Sequence, residues 1–406
     1  MSRAGWRIRP DTPAFTIMLG ALAALPPLSI DMGLPAFPEL EQQFGASATG
    51  AGLTLSVFLA GFALAQLALG PLSDSVGRRP VLLGGLALYA LAGLACAAAP
   101  TIEILIACRL VQGACAAAGS VMAFAIVRDL FTGNAGRTRM SYVAMVLSVA
   151  PIIAPTLGSW MLLLAGWRAI YGFLGVSGLA LLALVVVGLA ETRPVPRNNR
   201  GVLRGYALMV GHRSAMAYAA VNALSFGALF AYVSGSPLVL MAGLGLSAPF
   251  YGLLFAITSG GIMAGAWVNG QLSRYGVPPR LPLALALSVS LVTAIGLVLV
   301  TGRGAGTLAA LMPLLVVHMF CRGVIAPSAS HATLEPMGEI AGLASAVLGF
   351  LQMASGALSS AAVALLFPAF GPVSMALVMA LCALGALVAW RIARPSSAAP
   401  ALAHPE

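Results

Sequence analysis

Long uncharged apolar runs, separated by short polar segments, dominate the pattern of residues along the chain. A helix needs about 20 such residues to cross the ~30 Å hydrocarbon core of a bilayer, whereas a barrel strand needs only about 10. Twelve runs reach the helical length, at residues 12–34, 48–71, 81–100, 103–127, 140–164, 168–190, 214–236, 249–272, 281–301, 306–330, 340–366 and 372–393. The pattern therefore predicts an all-α integral membrane protein with twelve transmembrane helices.

Prolines divide two uncharged stretches that are too long for a single helix, residues 214–273 and 340–390. Proline has no N–H to donate and disfavours a helical residue before it, so it ends or kinks helices. One helix is expected to end and the next to begin near Pro237, Pro249, Pro368 and Pro372. We predict an N-terminal half over residues 1–190, a cytoplasmic linker over 191–213 and a C-terminal half over 214–406 that ends in a short tail.

A short internal echo supports two related halves of six helices each. Four residues near the end of the second helix recur 200 positions later: Gly61, Gly70, Leu72 and Ser73 return as Gly261, Gly270, Leu272 and Ser273. Because both sets lie at equivalent places, we interpret the chain as two pseudo-repeats. Parallel repeats of this kind occur in transporters whose substrate site lies near the bilayer midplane between the halves.

Composition and charge exclude several other classes of protein. Of the 406 residues, 60% are apolar and 8% are charged, against about 50% and 25% in soluble domains. An ordinary soluble enzyme, a disordered chain and a secreted disulfide scaffold are thereby excluded. All 21 basic residues are Arg, and the net charge is +10. They form no stripe interleaved with aromatic residues, so nucleic acid is not an expected partner.

The arginines also predict the orientation in the membrane. If the N-terminus is cytoplasmic, seventeen Arg fall in cytoplasmic segments and two, Arg168 and Arg303, fall on the other side. Cytoplasmic loops accumulate positive residues, so we predict that both termini lie in the cytoplasm. The remaining two, Arg109 and Arg322, lie within predicted spans.

The loop after the second span carries a recognisable motif. Residues 70–80 read GPLSDSVGRRP, which resembles the signature of the major facilitator superfamily, and the resemblance covers essentially the whole chain. Gly70 and Gly77 allow a tight turn, because glycine adopts backbone conformations closed to other residues. Asp74 supplies an anion that is stabilised near a helix N-terminus.

In that superfamily the loop latches the two halves in the outward-facing state. The resemblance implies that Asp74 lies near the start of the eleventh span, around residues 338–342. It also implies that an Arg lies near Asp129, below the fourth span. The alternative interpretation is a basic turn that only sets the topology. The second half has Arg274 in place of the acid, so we expect a single latch.

Further segments narrow the resemblance to one branch. They are SIDMGLPA at 29–36, RLVQG at 109–113, APIIAPTLG at 150–158, GWR at 166–168 and GLASAVLG at 342–349. Together they resemble the proton-coupled drug antiporters of the bicyclomycin-resistance (Bcr/CflA) branch, which commonly has Tyr where this chain has Gly33. The resemblance implies a monomeric exporter of phenicol- or bicyclomycin-like drugs in the bacterial inner membrane. It would use the proton gradient and no cofactor or metal.

Ionisable residues inside a membrane are costly and usually functional. Asp31 lies about 10 Å from the outer end of the first span if that helix continues to Pro38, and Arg109 lies about 10 Å into the fourth. The two depths agree, and the resemblance implies that spans one and four line the cavity, so a salt bridge or an alternating contact between them is possible. An acid in a cavity of low dielectric holds a proton more readily than one in water. We assign Asp31, Arg109 and Gln112 to a proton-coupling network beside the substrate cavity. The alternative is that Asp31 lies in water and Arg109 satisfies backbone carbonyls.

Two other groups of residues within spans are candidates for a functional role. Pro151, Pro155 and Gly158 are expected to disrupt the fifth span; the resemblance implies a gating kink, and a packing kink is the alternative. His318 and Arg322 lie four residues apart in the tenth span, on one helix face. We expect Arg322 to snorkel to the cytoplasmic surface and His318 to pack, with a second cavity charge as the alternative.

Three other functions compete with drug efflux. The same fold also accommodates exporters of a sugar or an endogenous metabolite. A membrane enzyme would need reactive groups clustered at one membrane face, and the sequence shows neither such a cluster nor a nucleotide motif. A channel would not need the repeat or the latch. The sequence therefore favours secondary active drug efflux.

Overall fold

The computed structural model describes residues 8–45, 48–192, 202–304 and 306–393. In these ranges every regular element is helical, which confirms the predicted all-α fold. The helices of the N-terminal half are α1 (Pro13–Asp31), α2 (Phe37–Phe44), α3 (Ala48–Val76), α4 (Arg78–Ala97), α5 (Ile102–Leu130) and α6 (Gly133–Gly188). Those that follow are α7 (Val202–Gly211), α8 (Arg213–Ser236), α9 (Ala248–Arg274), α10 (Arg280–Gly302), α11 (Leu308–Leu334), α12 (Ala341–Phe370) and α13 (Val373–Ile392).

Eleven helical segments of the described residues are long and apolar enough to cross a membrane. The longest, α6, has 56 residues and turns at Gly166, whose φ of +74° is non-helical. A left-handed φ suits glycine, and the turn separates two spans that match the predicted fifth and sixth. The described residues therefore form twelve candidate spans, six on each side of α7.

Three boundaries differ from the predictions. The first span is not one helix to Pro38, because α1 ends at Asp31 and a short 3₁₀ turn leads into α2. Pro368 does not end the eleventh span; α12 continues to Phe370 and stops before Gly371, which has a φ of +54°. The predicted linker contains the helix α7, while residues 193–201 of the linker and residues 394–406 of the tail lie outside the described residues.

The second and fourth spans cross at very short range. A Cβ on Gly61 would collide with the backbone of Leu110 on α5, and a Cβ on Gly113 would collide with the backbone of Phe58 on α3. Because neither obstacle is a flexible side chain, α3 and α5 can approach this closely only with glycine at both positions.

The eighth and tenth spans repeat this crossing. A Cβ on Gly265 would collide with the backbone of Phe320 on α11, and a Cβ on Gly323 would collide with Ile262 on α9. Gly265, rather than the predicted Gly261, therefore corresponds to Gly61 of the first half. The structure shows the duplication that the sequence echo suggested. The equivalent glycines of the second and eighth spans, however, are 204 positions apart along the chain and not 200.

One end of the helical bundle carries most of the described arginines. There α3 ends and α4 begins with Arg78 and Arg79, α5 ends near Arg128, α9 ends at Arg274 and α10 begins at Arg280. We call this the arginine-rich end and the other the opposite end.

The two halves are joined at the opposite end. Thr49 on α3 donates a hydrogen bond to the carbonyl of Ala364 on α12 at 2.9 Å. Ser159 on α6 donates to the carbonyl of Ala248, where α9 begins, at 2.8 Å. The π-helical segment Pro237–Gly243, which extends α8, packs against α2. These contacts close the opposite end between the halves.

Candidate functional site

A cavity of about 330 Å³ lies between the two halves. Helices α1, α3, α5 and α6 form one wall, and α8, α9, α11 and α12 form the other. Its lining is mostly apolar, with six aromatic side chains: Phe62, Phe124, Phe226, Phe230, Tyr232 and Phe255. Among the described residues that line it, Asp31 alone has a charged side chain.

Asp31 is the last residue of α1 and is buried. The structure gives it no hydrogen bond or ion pair within the described residues. Across the cavity, Tyr232 and Thr258 of the C-terminal half share a hydrogen bond of 2.8 Å between their hydroxyl groups. The acid of one half and a hydroxyl pair of the other therefore line the same space.

Arg109 does not contact Asp31. Its Nη1 donates to Oε1 of Gln112 at 2.8 Å, and its Nη2 donates to the carbonyl of Ser29 at 3.0 Å. The guanidinium lies 4.2 Å from the ring centroid of Phe58. The possible salt bridge is therefore absent, and neither Arg109 nor Gln112 lines the cavity.

The contact with Ser29 has a simple cause. The last four carbonyls of a helix lack the N–H donor of a following turn, and the helix dipole makes that end negative. Ser29 lies within the last turn of α1, so its carbonyl is open to another donor. Arg109 supplies it and thereby fixes the backbone two residues before Asp31.

The latch motif forms a compact ion network within the N-terminal half. Arg78 reaches Asp129 through Nε at 3.0 Å and Asp74 through Nη2 at 2.8 Å. Its Nη1 donates to the hydroxyl of Ser73 at 2.5 Å. The structure thus places an Arg beside Asp129, as the resemblance implies, and pairs Asp74 with that same Arg.

Glu191 completes this network, and the sequence reasoning missed it. Its two carboxylate oxygens accept from the backbone N–H groups of Arg78 and Arg79 at 2.9 and 3.0 Å. It therefore caps the N-terminus of α4 from the end of the sixth span. A lone acid at that span's end was the available signal, but only the fold brings it to α4.

The two motif glycines have different roles. Gly77 has a φ of +108°, and a Cβ there would lie 2.7 Å from Oε2 of Glu191. Gly70 lies inside α3 with open space around it, so it forms no turn. The expected tight turn therefore depends on Gly77 alone.

The prolines of the fifth span do not break it. Helix α6 has helical backbone angles through Pro151 and Pro155, and its non-helical residue is Gly166. Pro151 lines the cavity. A Cβ on Gly158 would lie 2.8 Å from the Cα of Met32, so this glycine allows the end of α1 to pack against α6.

His318 and Arg322 are buried inside the C-terminal half and line no part of the cavity. The imidazole Nδ1 of His318 lies 3.2 Å from the hydroxyl of Thr293 on α10. Arg322 donates through Nη1 to Oδ1 of Asn222 on α8 at 2.8 Å and does not snorkel to the surface. An acceptor on the neighbouring helix overrides the snorkelling expected from sequence, and the alternative of a second cavity charge is also wrong.

Comparison with known proteins agrees with this architecture. A family model described as Major Facilitator Superfamily matches residues 19–360. An uncharacterized MFS-type transporter, YdgK, of Bacillus subtilis is 36% identical over 353 residues, which cover 86% of this chain and 87% of that protein. A bicyclomycin resistance protein homolog of Haemophilus influenzae is 29% identical over 362 residues, which cover 87% of this chain and 89% of that protein. The solved structure of a D-xylose-proton symporter superposes with a TM-score of 0.72 at 14% identity, over 94% of this chain and 98% of that chain.

Proposed function

The chain belongs to the major facilitator superfamily, and from that premise we propose that it exports small amphipathic drugs in exchange for protons. Its membership and its transporter relatives make it a multi-pass membrane transporter rather than an enzyme. The H. influenzae relative named for bicyclomycin resistance favours drugs as cargo. We propose that both termini lie in the cytoplasm of a bacterial cell, because the arginine-rich end follows the distribution expected there.

The observation that carries the proposal is the position of Asp31. It is the charged side chain of a mostly apolar cavity between two halves, and it lacks a described ion-pair partner. An unpaired carboxylate in such surroundings is costly, and neutralising it with a proton or a cationic ligand removes that cost. One group can therefore hold either a proton or the polar part of a drug.

Exchange follows from this competition. A drug that enters the cavity binds the Asp31 carboxylate through its cationic or hydrogen-bonding group, and the proton that the carboxyl group held leaves to water on the cytoplasmic side. After the halves rock, a proton from the outer side binds the same oxygen and releases the drug. Because Asp31 binds either a proton or the drug, and never both, the proton flux and the drug flux are linked.

Arg109 acts in this scheme by positioning. Its bond to the Ser29 carbonyl holds the end of α1, and the bond between Gln112 and Arg109 orients the guanidinium. Because the arginine is directed away from the cavity, it does not neutralise Asp31, and the acid stays free to titrate.

The lining favours an amphipathic cargo. Six aromatic rings, together with Met319 and Met353, present polarizable apolar surface that adapts to different shapes. A sugar would need hydrogen-bonding side chains around most of its hydroxyl groups, and fifteen of the 21 described lining residues are apolar against six that can form hydrogen bonds. Export of a sugar or an endogenous metabolite is therefore the second candidate.

Transport by Asp31→Asn tests the proposal. In proteoliposomes with an imposed pH gradient, the wild type should concentrate a phenicol or bicyclomycin against its gradient. The variant should lose this uphill transport and keep drug exchange at equal concentrations on both sides. Purified wild type should also release protons when drug is added in weak buffer, and the variant should not.

Glu103→Gln is the matched control, because Glu103 is an exposed acid at the start of α5. It should transport and release protons as the wild type does. Full uphill transport by Asp31→Asn would refute the coupling role. Proton-driven transport of a sugar, with no response to any drug tested, would favour the second candidate.

A further inference from the structure

The second span contains a backbone carbonyl that its own helix cannot satisfy. Helix α3 continues through Pro71, and in an α-helix the N–H of residue 71 would bond to the carbonyl of Leu67. Proline has no N–H, so that carbonyl loses its helical donor. The hydroxyl of Tyr206, on α7, donates a hydrogen bond to it at 2.9 Å.

Helix α7 is anchored to the C-terminal half. Met209 is fully buried in a cluster with Ala344 and Val347 of α12. Gly205 packs so closely on the side chain of Leu343 that a Cβ there would collide with it. Because α7 is held by α12 while Leu67 belongs to the N-terminal half, the bond between Tyr206 and Leu67 joins the two halves.

We propose that Tyr206 is a positioning residue of the transport cycle, whose bond to the Leu67 carbonyl stabilises the conformation closed at the opposite end. A hydrogen bond weakens within a few tenths of an ångström of its preferred length. Rocking one half against the other changes the distance between α7 and α3, so the bond favours a narrow range of arrangements. This inference rests on the proposed alternation between two states of access.

The expected size of the effect is modest. A single hydrogen bond made in one state only shifts the balance between two states by about 2- to 12-fold. The Tyr206 hydroxyl keeps its proton at neutral pH, because the ordinary pKa of tyrosine is about 10 and burial raises the pKa of this hydroxyl further.

Tyr206→Phe removes the donor and little else. The reporter is Ser120→Cys on the cavity wall, in a chain whose five native cysteines are replaced by serine. A membrane-impermeant maleimide is added to vesicles of known orientation, from the arginine-rich side or from the opposite side. Tyr206→Phe should raise the ratio of opposite-side to arginine-rich-side labelling by about 2- to 12-fold. Tyr218→Phe, on α8, should leave the ratio unchanged.

Pro71→Ala supplies the second test, because alanine restores the N–H donor for Leu67. In that background Tyr206→Phe should no longer alter the ratio, so the two substitutions should be strongly non-additive. If labelling occurs from both sides and Tyr206→Phe leaves the ratio unchanged, or lowers only thermal stability, the inference is wrong. If every variant, wild type included, is labelled from one side only, the proposed alternation fails and the inference fails with it.

Discussion

Gly113→Ala should both destabilise the bundle and impair transport, because this residue sets the distance between α5 and α3. A Cβ at this position would lie 2.7 Å from the carbonyl carbon of Phe58, where ordinary contacts begin at 3.4 Å. Neither helix backbone can move aside alone, so the two helices must separate by roughly 1 Å. Arg109 lies one turn earlier on α5 and packs on the ring of that same Phe58.

The cost can be isolated with a matched variant. Overpacking of this kind typically costs about 1–3 kcal/mol. Replacing a helical glycine by alanine also gains about 1 kcal/mol of helix propensity, which would mask part of the cost. Gly84→Ala, in α4, has open space around its Cβ and gains the same propensity. The difference between the two variants therefore reports the crossing alone.

Reversible unfolding in mixed detergent micelles measures both free energies of unfolding. Gly113→Ala should be less stable than Gly84→Ala by about 1–3 kcal/mol. Uphill drug transport should fall in Gly113→Ala, because α5 carries Arg109 away from Phe58, and should persist in Gly84→Ala. Equal stabilities in the two variants would refute the close crossing on which this reasoning depends.

Two further predictions concern the motif glycines and the buried histidine. Gly77→Ala should lower the free energy of unfolding by roughly 1–2 kcal/mol, because Gly77 has a positive φ and Glu191 leaves no room for a Cβ. Gly70→Ala should not lower it, because the space around Gly70 is open. Equal losses of stability in chemical unfolding would contradict this reasoning. His318→Gln should leave the pH profile of transport unchanged, because the imidazole faces α10 and not the cavity; a shifted profile in proteoliposomes would place His318 in the proton path.

The two halves treat their buried arginines alike. Arg109 and Arg322 each bond to an amide side chain of their own half and each lie over a phenylalanine ring. Neither uses a carboxylate partner in the described residues. The Asp31 carboxyl group is consequently not compensated by either cation, which is the condition that the proposed proton exchange requires.

Many residues of the candidate site could be predicted from local sequence, but the residues that they contact could not. The depth of Asp31 and the GPLSDSVGRRP motif are readable because charges and glycines are rare in apolar spans. Glu191 and Tyr206 escaped notice because their partners lie more than a hundred residues away along the chain. A single tyrosine or acid forms no periodic pattern that would reveal its role in the sequence. Only the folded structure brings Glu191 to α4 and Tyr206 to α3.

The number of spans, the two halves and the charge asymmetry follow from the sequence by itself, because an apolar run of about 20 residues has the length of a membrane-spanning helix and such runs can be counted along the chain. Tertiary structure alone decided which way each intramembrane charge points. The orientation of Arg109 toward a helix end, of Arg322 toward Asn222 and of Asp31 toward open space depends on what the neighbouring helices offer. Hydropathy records the cost of burying a charge, and only three-dimensional packing supplies, or withholds, the group that offsets it.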